Sequence, residues 1–182
     1  GIGSDSYIEA LKSSKNKLRI GKASTEDLTI FHILDHEINF SPRLGFPVHG
    51  IIGHDFFKDF LVEINYKRKF IRIYPHDDPL KKTKRYEAIP LVFFKNKPYV
   101  NCWIRIQDTK VNTTLLLDTG LADAIWLFEK EGSIYIPETS YEDFLGMGLL
   151  EDIQGSRSRI NSLEISNFEL ENVITSFPDT TA

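Results

Sequence analysis

The sequence predicts an all-β protein with at most minor helix, and three observations carry that reading. From Tyr99 to Gln107 the residues alternate strictly, with Val100, Cys102, Ile104 and Ile106 on one face and Asn101, Trp103, Arg105 and Gln107 on the other. That is the period of a half-buried strand. Elsewhere the apolar runs are short and are broken by Gly, Pro, Asn or Asp, the residues that suit turns. Finally, 41% apolar and 26% charged residues in a chain of 182 suffice for the cores of one or two small domains.

Taken in order, Tyr7–Leu11 predicts a short helix or strand, and Lys17-Leu18-Arg19-Ile20-Gly21 an edge strand ending in a turn. Leu28–Leu34 is β-rich and predicts a buried strand, while Asp35–Pro47, with two prolines, predicts a loop. Val48-His49-Gly50-Ile51-Ile52-Gly53 is an apolar step between glycines. His54–Phe60 then sets Phe56, Phe57 and Phe60 on one side of about two helical turns. Leu61–Tyr66 and Phe70–Tyr74 flank Lys67-Arg68-Lys69 as a hairpin, closed by Pro75. Residues 76–85 are polar and include Lys81-Lys82-Thr83-Lys84-Arg85, which predicts a linker between domains at 1–75 and 86–182. Beyond it Ala88–Phe94, Tyr99–Gln107 and Val111–Leu117 predict three strands, with Asp108-Thr109-Lys110 as a turn. Ala124–Phe128 predicts a short strand, 129–157 a loop-rich stretch, and Leu163–Ile165 and Phe168–Phe177 further strands.

Composition narrows the function. A net charge of −4 without a basic stripe argues against nucleic acid or an anionic membrane as partner. No apolar run reaches the length of a membrane-spanning helix. Cys102 is the one cysteine, so no internal disulfide forms, and its place in the alternation predicts a small core residue. His32, His36, His49, His54 and His76 show no paired ligand spacing, so no metal and no cofactor is expected. Trp103 and Trp126 are expected as core or interface aromatics. Gly1-Ile2-Gly3-Ser4, without an initiator methionine, reads as a processed or internal start.

The chemistry-bearing stretch is Leu115-Leu116-Leu117-Asp118-Thr119-Gly120, followed by Leu121-Ala122-Asp123-Ala124-Ile125-Trp126-Leu127. An aspartate directly after leucines and before Thr-Gly predicts a strand that leaves the core and ends in a tight turn. Apolar walls beside Asp118 would tune its carboxyl. A second signal is self-similarity. Gly1-Ile2-Gly3 is like Gly146-Met147-Gly148, an offset of 146 − 1 = 145, and Leu18-Arg19-Ile20-Gly21 is like Leu163-Glu164-Ile165-Ser166 at the same offset. Such a repeat places the counterpart of Asp118 upstream of Gly1. The chain then carries the second half of one repeat and the first half of the next.

Asp118-Thr119-Gly120 resembles the active-site turn of aspartic proteases of the pepsin and retropepsin kinds. Ile51-Ile52-Gly53 resembles the hydrophobic-hydrophobic-Gly element of that family, and Leu61–Ile73 its closing hairpin, with Asn65 where Asp is common. Gly146–Ile160 falls where a substrate-covering flap would lie. Together these are similar to bacterial two-lobed retropepsin-like proteases. The resemblance implies a closed β-barrel and an aspartic endopeptidase acting on peptides or proteins bound as extended strands. It leans towards an exported, periplasmic or extracellular setting.

It also implies that Asp118 is one of two carboxylates sharing a proton and activating water, that Thr119 braces the pair, and that Gly120 admits close backbone approach. Leu121, Ala122, Gly146, Met147 and Gly148 would then contact substrate. Leu121-Ala122 departs from the family's Ala followed by Ser or Thr, so a hydroxyl that often supports the carboxylate is absent. The chain alone is therefore expected to be catalytically incomplete. It would acquire the second aspartate from missing half-lobes of a parent chain or from a homodimer partner. The alternative is a non-catalytic peptide-binding or assembly module on the same scaffold.

Overall fold

A computed structural model describes residues 8–35, 38–39, 41–77, 86–148 and 152–179. Strand accounts for 57% of the chain and helix for 4%, so the class is all-β. The chain divides into two compact units, one of Tyr7–Tyr86 and one containing Glu87–Ala182. Of the expected linker, residues 78–85 lie outside the described residues, as does Gly1-Ile2-Gly3.

The first unit opens with strands β1 (Ala10–Ile20) and β2 (Ala23–Ile33), paired antiparallel as a two-stranded sheet. The run expected to be a buried strand is not buried: Phe31 is 63% exposed, and Ile33 and Leu34 are exposed too. A two-stranded sheet has no third strand to extend it, and among the described residues little covers its faces. Helix α1 (Ser41–Leu44) and helix α2 (His54–Phe57) are single turns, with strands β3 (Phe60–Asn65) and β4 (Phe70–Pro75) completing the unit. The two-turn helix expected to Phe60 stops early because Phe60 already pairs with Pro75 in the ladder. A short helix carries its nucleation cost without enough bonds to repay it. The aromatic cluster survives nonetheless: Phe56 is buried and its ring lies 5.7 Å from Phe57 and 5.0 Å from Phe60. The hairpin turn forms as the sequence predicts, with the Arg68 amide donating to Asn65 Oδ1 at 2.8 Å.

The second unit is one six-stranded sheet of β5 (Val92–Phe94), β6 (Lys97–Ile106), β7 (Thr109–Leu116), β8 (Tyr141–Met147), β9 (Asp152–Ile165) and β10 (Phe168–Pro178). Strand β6 pairs with β7 along Tyr99–Ile106, so its other edge is shared between β5 at Lys97–Tyr99 and β9 at Trp103–Arg105. Strand β9 pairs with β10 along most of its length and divides its remaining edge between β8 and β6. The path runs β10-β9-β6-β5 without closing. The expected closed barrel is not found, because no ladder among the described residues joins the outer strands to one another.

Three further expectations are corrected here. Residues 129–157 are not all loop, since β8 and the start of β9 lie within them. Ala124–Phe128 is not a strand but a single parallel rung, Trp126 opposite Ser176. Of Ala88–Phe94, only Val92–Phe94 is strand, and it is exposed.

The core of this unit follows the alternation. Cys102, Ile104 and Ile106 are buried with Ile125, Leu127, Ile160, Leu163, Val173 and Phe177. Burial pushes the Cys102 thiol up to about 11, far from the thiolate a nucleophile needs. Trp103, on the opposite face, is exposed rather than core, with Lys110 Nζ 5.4 Å from its ring centre. Ile104 is fully enclosed, so Ile104→Val should cost about 0.5–1.5 kcal/mol in urea denaturation through the small cavity left behind.

The internal repeat has a close structural counterpart. At an offset of 145 residues, β2 (Ala23–Ile33) falls on β10 (Phe168–Pro178), and β1 ends at Ile20 where β9 ends at Ile165. The registers agree at both ends of the hairpins: Ile20 faces Ala23 as Ile165 faces Phe168, and Lys12 faces Phe31 as Arg157 faces Ser176. Left-handed backbone recurs at the same places, Gly21 with Ser166 and Asp27 with Asn172. Residues other than glycine adopt that region seldom, and between these shared positions the β1–β2 ladder differs by register shifts around Asn16.

Candidate active site at the Asp118 turn

Strands β6 and β7 bring the chain to Asp118. The Leu117 amide donates to Pro98 O at 2.9 Å, extending the ladder one residue beyond β7. Asp118 then leaves the sheet, and its Oδ1 accepts the Gly120 amide at 2.8 Å, an Asx-type turn that Asp favours. A Cβ on Gly120 would stand 3.2 Å from that same oxygen, a tight contact that the exposed Asp118 side chain would have to shift slightly to relieve. Asp118, Thr119 and Gly120 are all exposed. The apolar walls expected beside Asp118 are therefore not there: β7 ends before it, and its leucine neighbours Leu116 and Leu117 are themselves exposed. Leu121 is half-buried and Ala122 exposed.

After the turn the chain is fastened firmly. Asp123 Oδ2 accepts the Trp126 indole N–H at 2.8 Å and the Ser176 hydroxyl at 2.8 Å. Its Oδ1 accepts Arg157 Nη1 at 2.7 Å. Arg157 Nε donates to Asp143 Oδ2 at 2.7 Å, and Nη1 also reaches Ser176 Oγ at 3.0 Å. The backbone adds Leu127 N to Ser176 O at 2.9 Å and Ser176 N to Ile125 O at 3.0 Å. Five residues from four segments thus share one polar network, and Ile125 and Leu127 flank it in the core.

Burial alone would raise the Asp123 carboxyl, but the hydrogen bonds from Arg157, Trp126 and Ser176 prevail and hold it below the ordinary aspartate value. Hydrogen bonds to Asp123 and Asp143 in turn raise Arg157. With the folded carboxyl below its unfolded value of about 3.9, its contribution to stability is present above that pH and is lost as pH falls through the folded value. Trp126 fluorescence, read in a Trp103→Phe background, should hold steady from pH 7 to about 4 and change below it. Asp123→Asn should remove that acid transition.

Gly146, Met147 and Gly148 lie at the end of β8 and just past it. Gly146 and Met147 end strand β8, with a bulge between Phe144 and Gly146, where Gly146 has φ +150°. That backbone conformation favours glycine. Met147 pairs with Asp152, so β8 and β9 form a hairpin whose tip includes Gly148, with 149–151 outside the described residues. Among the described residues no hydrogen bond joins Asp118 to Gly146, Met147 or Gly148; its partner is the Gly120 amide. Ile51 and Ile52 of the hydrophobic-hydrophobic-Gly element are exposed, Ile51 by 76%.

An open depression of about 280 Å³ adjoins the Asp123 network at Arg157 and is otherwise lined by Thr139, Tyr141, Ser158, Arg159 and Ile174. Among the described residues no cluster of three or more His, Cys, Asp or Glu is placed to hold a metal, and no helix is long and apolar enough to cross a membrane.

Sequence reading missed Asp143, Arg157 and Ser176 as partners of Asp123. Arg157 and Ser176 lie 34 and 53 residues from it, and no local pattern connects them. No protein-family model, curated protein or solved structure matches this chain.

Proposed function

We propose that the second unit carries half of an aspartic endopeptidase site, with Asp118 as the carboxylate that activates water. The observation that carries this reading is the Asp118 turn itself: a carboxylate held by the Gly120 amide and presented to solvent between anchored segments. The hairpin of β8 and β9 that follows it in sequence suits an extended peptide laid along strand edges. Hydrolysis by this chemistry requires a second carboxylate that shares a proton with the first, one accepting the proton of water while the other donates to the scissile carbonyl. A second Asp-Thr-Gly turn has to supply it.

The test is cleavage of a mixed peptide library between pH 4 and 6 at increasing protein concentration, with Asp118→Asn as control. Asp118-dependent cleavage whose specific activity rises with concentration supports the half-site completed by a second copy. The exposed setting of Asp118 and the missing hydroxyl at Leu121-Ala122 favour one rival, a peptide-binding module without chemistry. Binding of library peptides without cleavage at any concentration, by this chain and by a longer parent chain alike, would favour that rival instead.

A further inference from the structure

We propose that Asp123 and Arg157 are positioning residues, a clip that locks the exit of the Asp118 turn to the base of the β8–β9 hairpin. The proposal builds on the reading of Asp118 as the reacting carboxylate, but its geometry stands independently of that reading. Asp118 sits between two fixed points: the Leu117 amide on Pro98 O before it, and the Asp123 carboxylate after it. Residues 118–122 alone span the interval, so displacing either anchor displaces the turn.

At Asp123 itself the second anchor is held by side chains, two residues before the backbone bonds that tie Ile125 and Leu127 to Ser176. Arg157 on β9 donates to Asp123 and, through Nε, to Asp143 on β8. One guanidinium thereby ties the turn to both strands of the hairpin. The side chains of Arg157 and Asp123 are 16% and 17% exposed, so solvent screens this pair less than a surface pair. Arginine suits the place because its planar fork reaches two carboxylates at once, which a lysine ammonium cannot match in geometry.

The internal repeat separates a role for the turn from a role in the hairpin. In β1 and β2 the positions equivalent to Arg157 and Ser176 are Lys12 and Phe31, which face each other in the same register. The hairpin therefore forms without the arginine, the serine or any aspartate between them. The network is therefore an addition to the hairpin of β9 and β10 and not a condition of its pairing.

The experiment uses the full chain and two variants, Arg157→Lys and Asp123→Asn, with amide hydrogen exchange, circular dichroism and steady-state cleavage as readouts. Both variants should keep the β spectrum, while exchange across Leu117–Leu121 speeds up by about tenfold or more as local opening becomes easier. Where the wild type shows Asp118-dependent cleavage, kcat should fall by about tenfold to a hundredfold with KM nearly unchanged, because misplacing a reacting group costs rate rather than binding. Unchanged exchange at Leu117–Leu121 in folded variants overturns the clip. Faster exchange in a protein whose wild type cleaves nothing supports the clip and leaves the Asp118 turn without a demonstrated peptidase role. Should either variant fail to fold, Trp126→Phe, which removes a single donor to Asp123, is read by the same exchange measurement.

Discussion

If Asp118 is the water-activating carboxylate proposed above, Asp118→Asn should lower peptide cleavage by the completed site by about 10²–10⁴-fold, the range that a positioned acid or base supplies, while leaving the melting temperature essentially unchanged. Asparagine has the shape of aspartate, and its Oδ1 still accepts the Gly120 amide that shapes the turn. What it cannot do is take a proton from water. Because Asp118 is exposed and its partner is a backbone amide, the substitution leaves no buried group unpaired and should shift stability by less than about 0.5 kcal/mol. The separation of activity from stability is the diagnostic. A fall in cleavage with an unchanged melt assigns chemistry to the carboxylate. Equal cleavage by the wild type and Asp118→Asn would refute the peptidase reading.

Gly155→Ala should lower stability by about 3 kcal/mol, at the upper end of overpacking costs, and the melting temperature by about 10–15 °C. Gly155 on β9 lies between Asp143 on β8 and Pro178 on β10. A Cβ there would stand 2.2 Å from Phe177 O and 2.8 Å from both Leu145 Cδ1 and Pro178 Cα. Two of those three neighbours are backbone atoms of a paired strand, so the clash is relieved only by moving β10 against its ladder. The repeat offers an internal comparison. Its equivalent position is Ala10, on a hairpin with no third strand, and alanine is tolerated there in the open. A thermal melt of Gly155→Ala beside Ala10→Gly measures both: a large loss for the first and a small change for the second. A melt of Gly155→Ala within 2 °C of wild type, about 0.5 kcal/mol, would mean that β10 yields more easily than its position implies.

Much of the second unit was legible in the chain. The alternation of Tyr99–Gln107 names the buried face of β6 residue by residue, since side chains of a strand point to opposite faces at period two. Leu115-Leu116-Leu117-Asp118-Thr119-Gly120 locates the strand end and the turn, because an aspartate after leucines has few other places to go. Even the repeated hairpin is visible, through the weak match of Leu18-Arg19-Ile20-Gly21 to Leu163-Glu164-Ile165-Ser166. Less legible was burial in the first unit. Leu28–Leu34 has the composition of a core strand yet is half-buried at its start and exposed from Phe31 on, as composition records what a strand can bury and not whether a layer covers it.

By itself the sequence determined the all-β class, the hairpin of β3 and β4 and the place of the Asp118 turn, all set by local periodicity and turn chemistry that act within a few residues. Only the tertiary structure decided that the six-stranded sheet stays open, that Gly155 is squeezed between two neighbouring strands, and that Asp123 is gripped by Arg157, Trp126 and Ser176. Those outcomes depend on strand pairing over tens of residues. Which edge of β9 meets β6, β8 or β10 is decided by collective packing, and no short stretch of sequence encodes it.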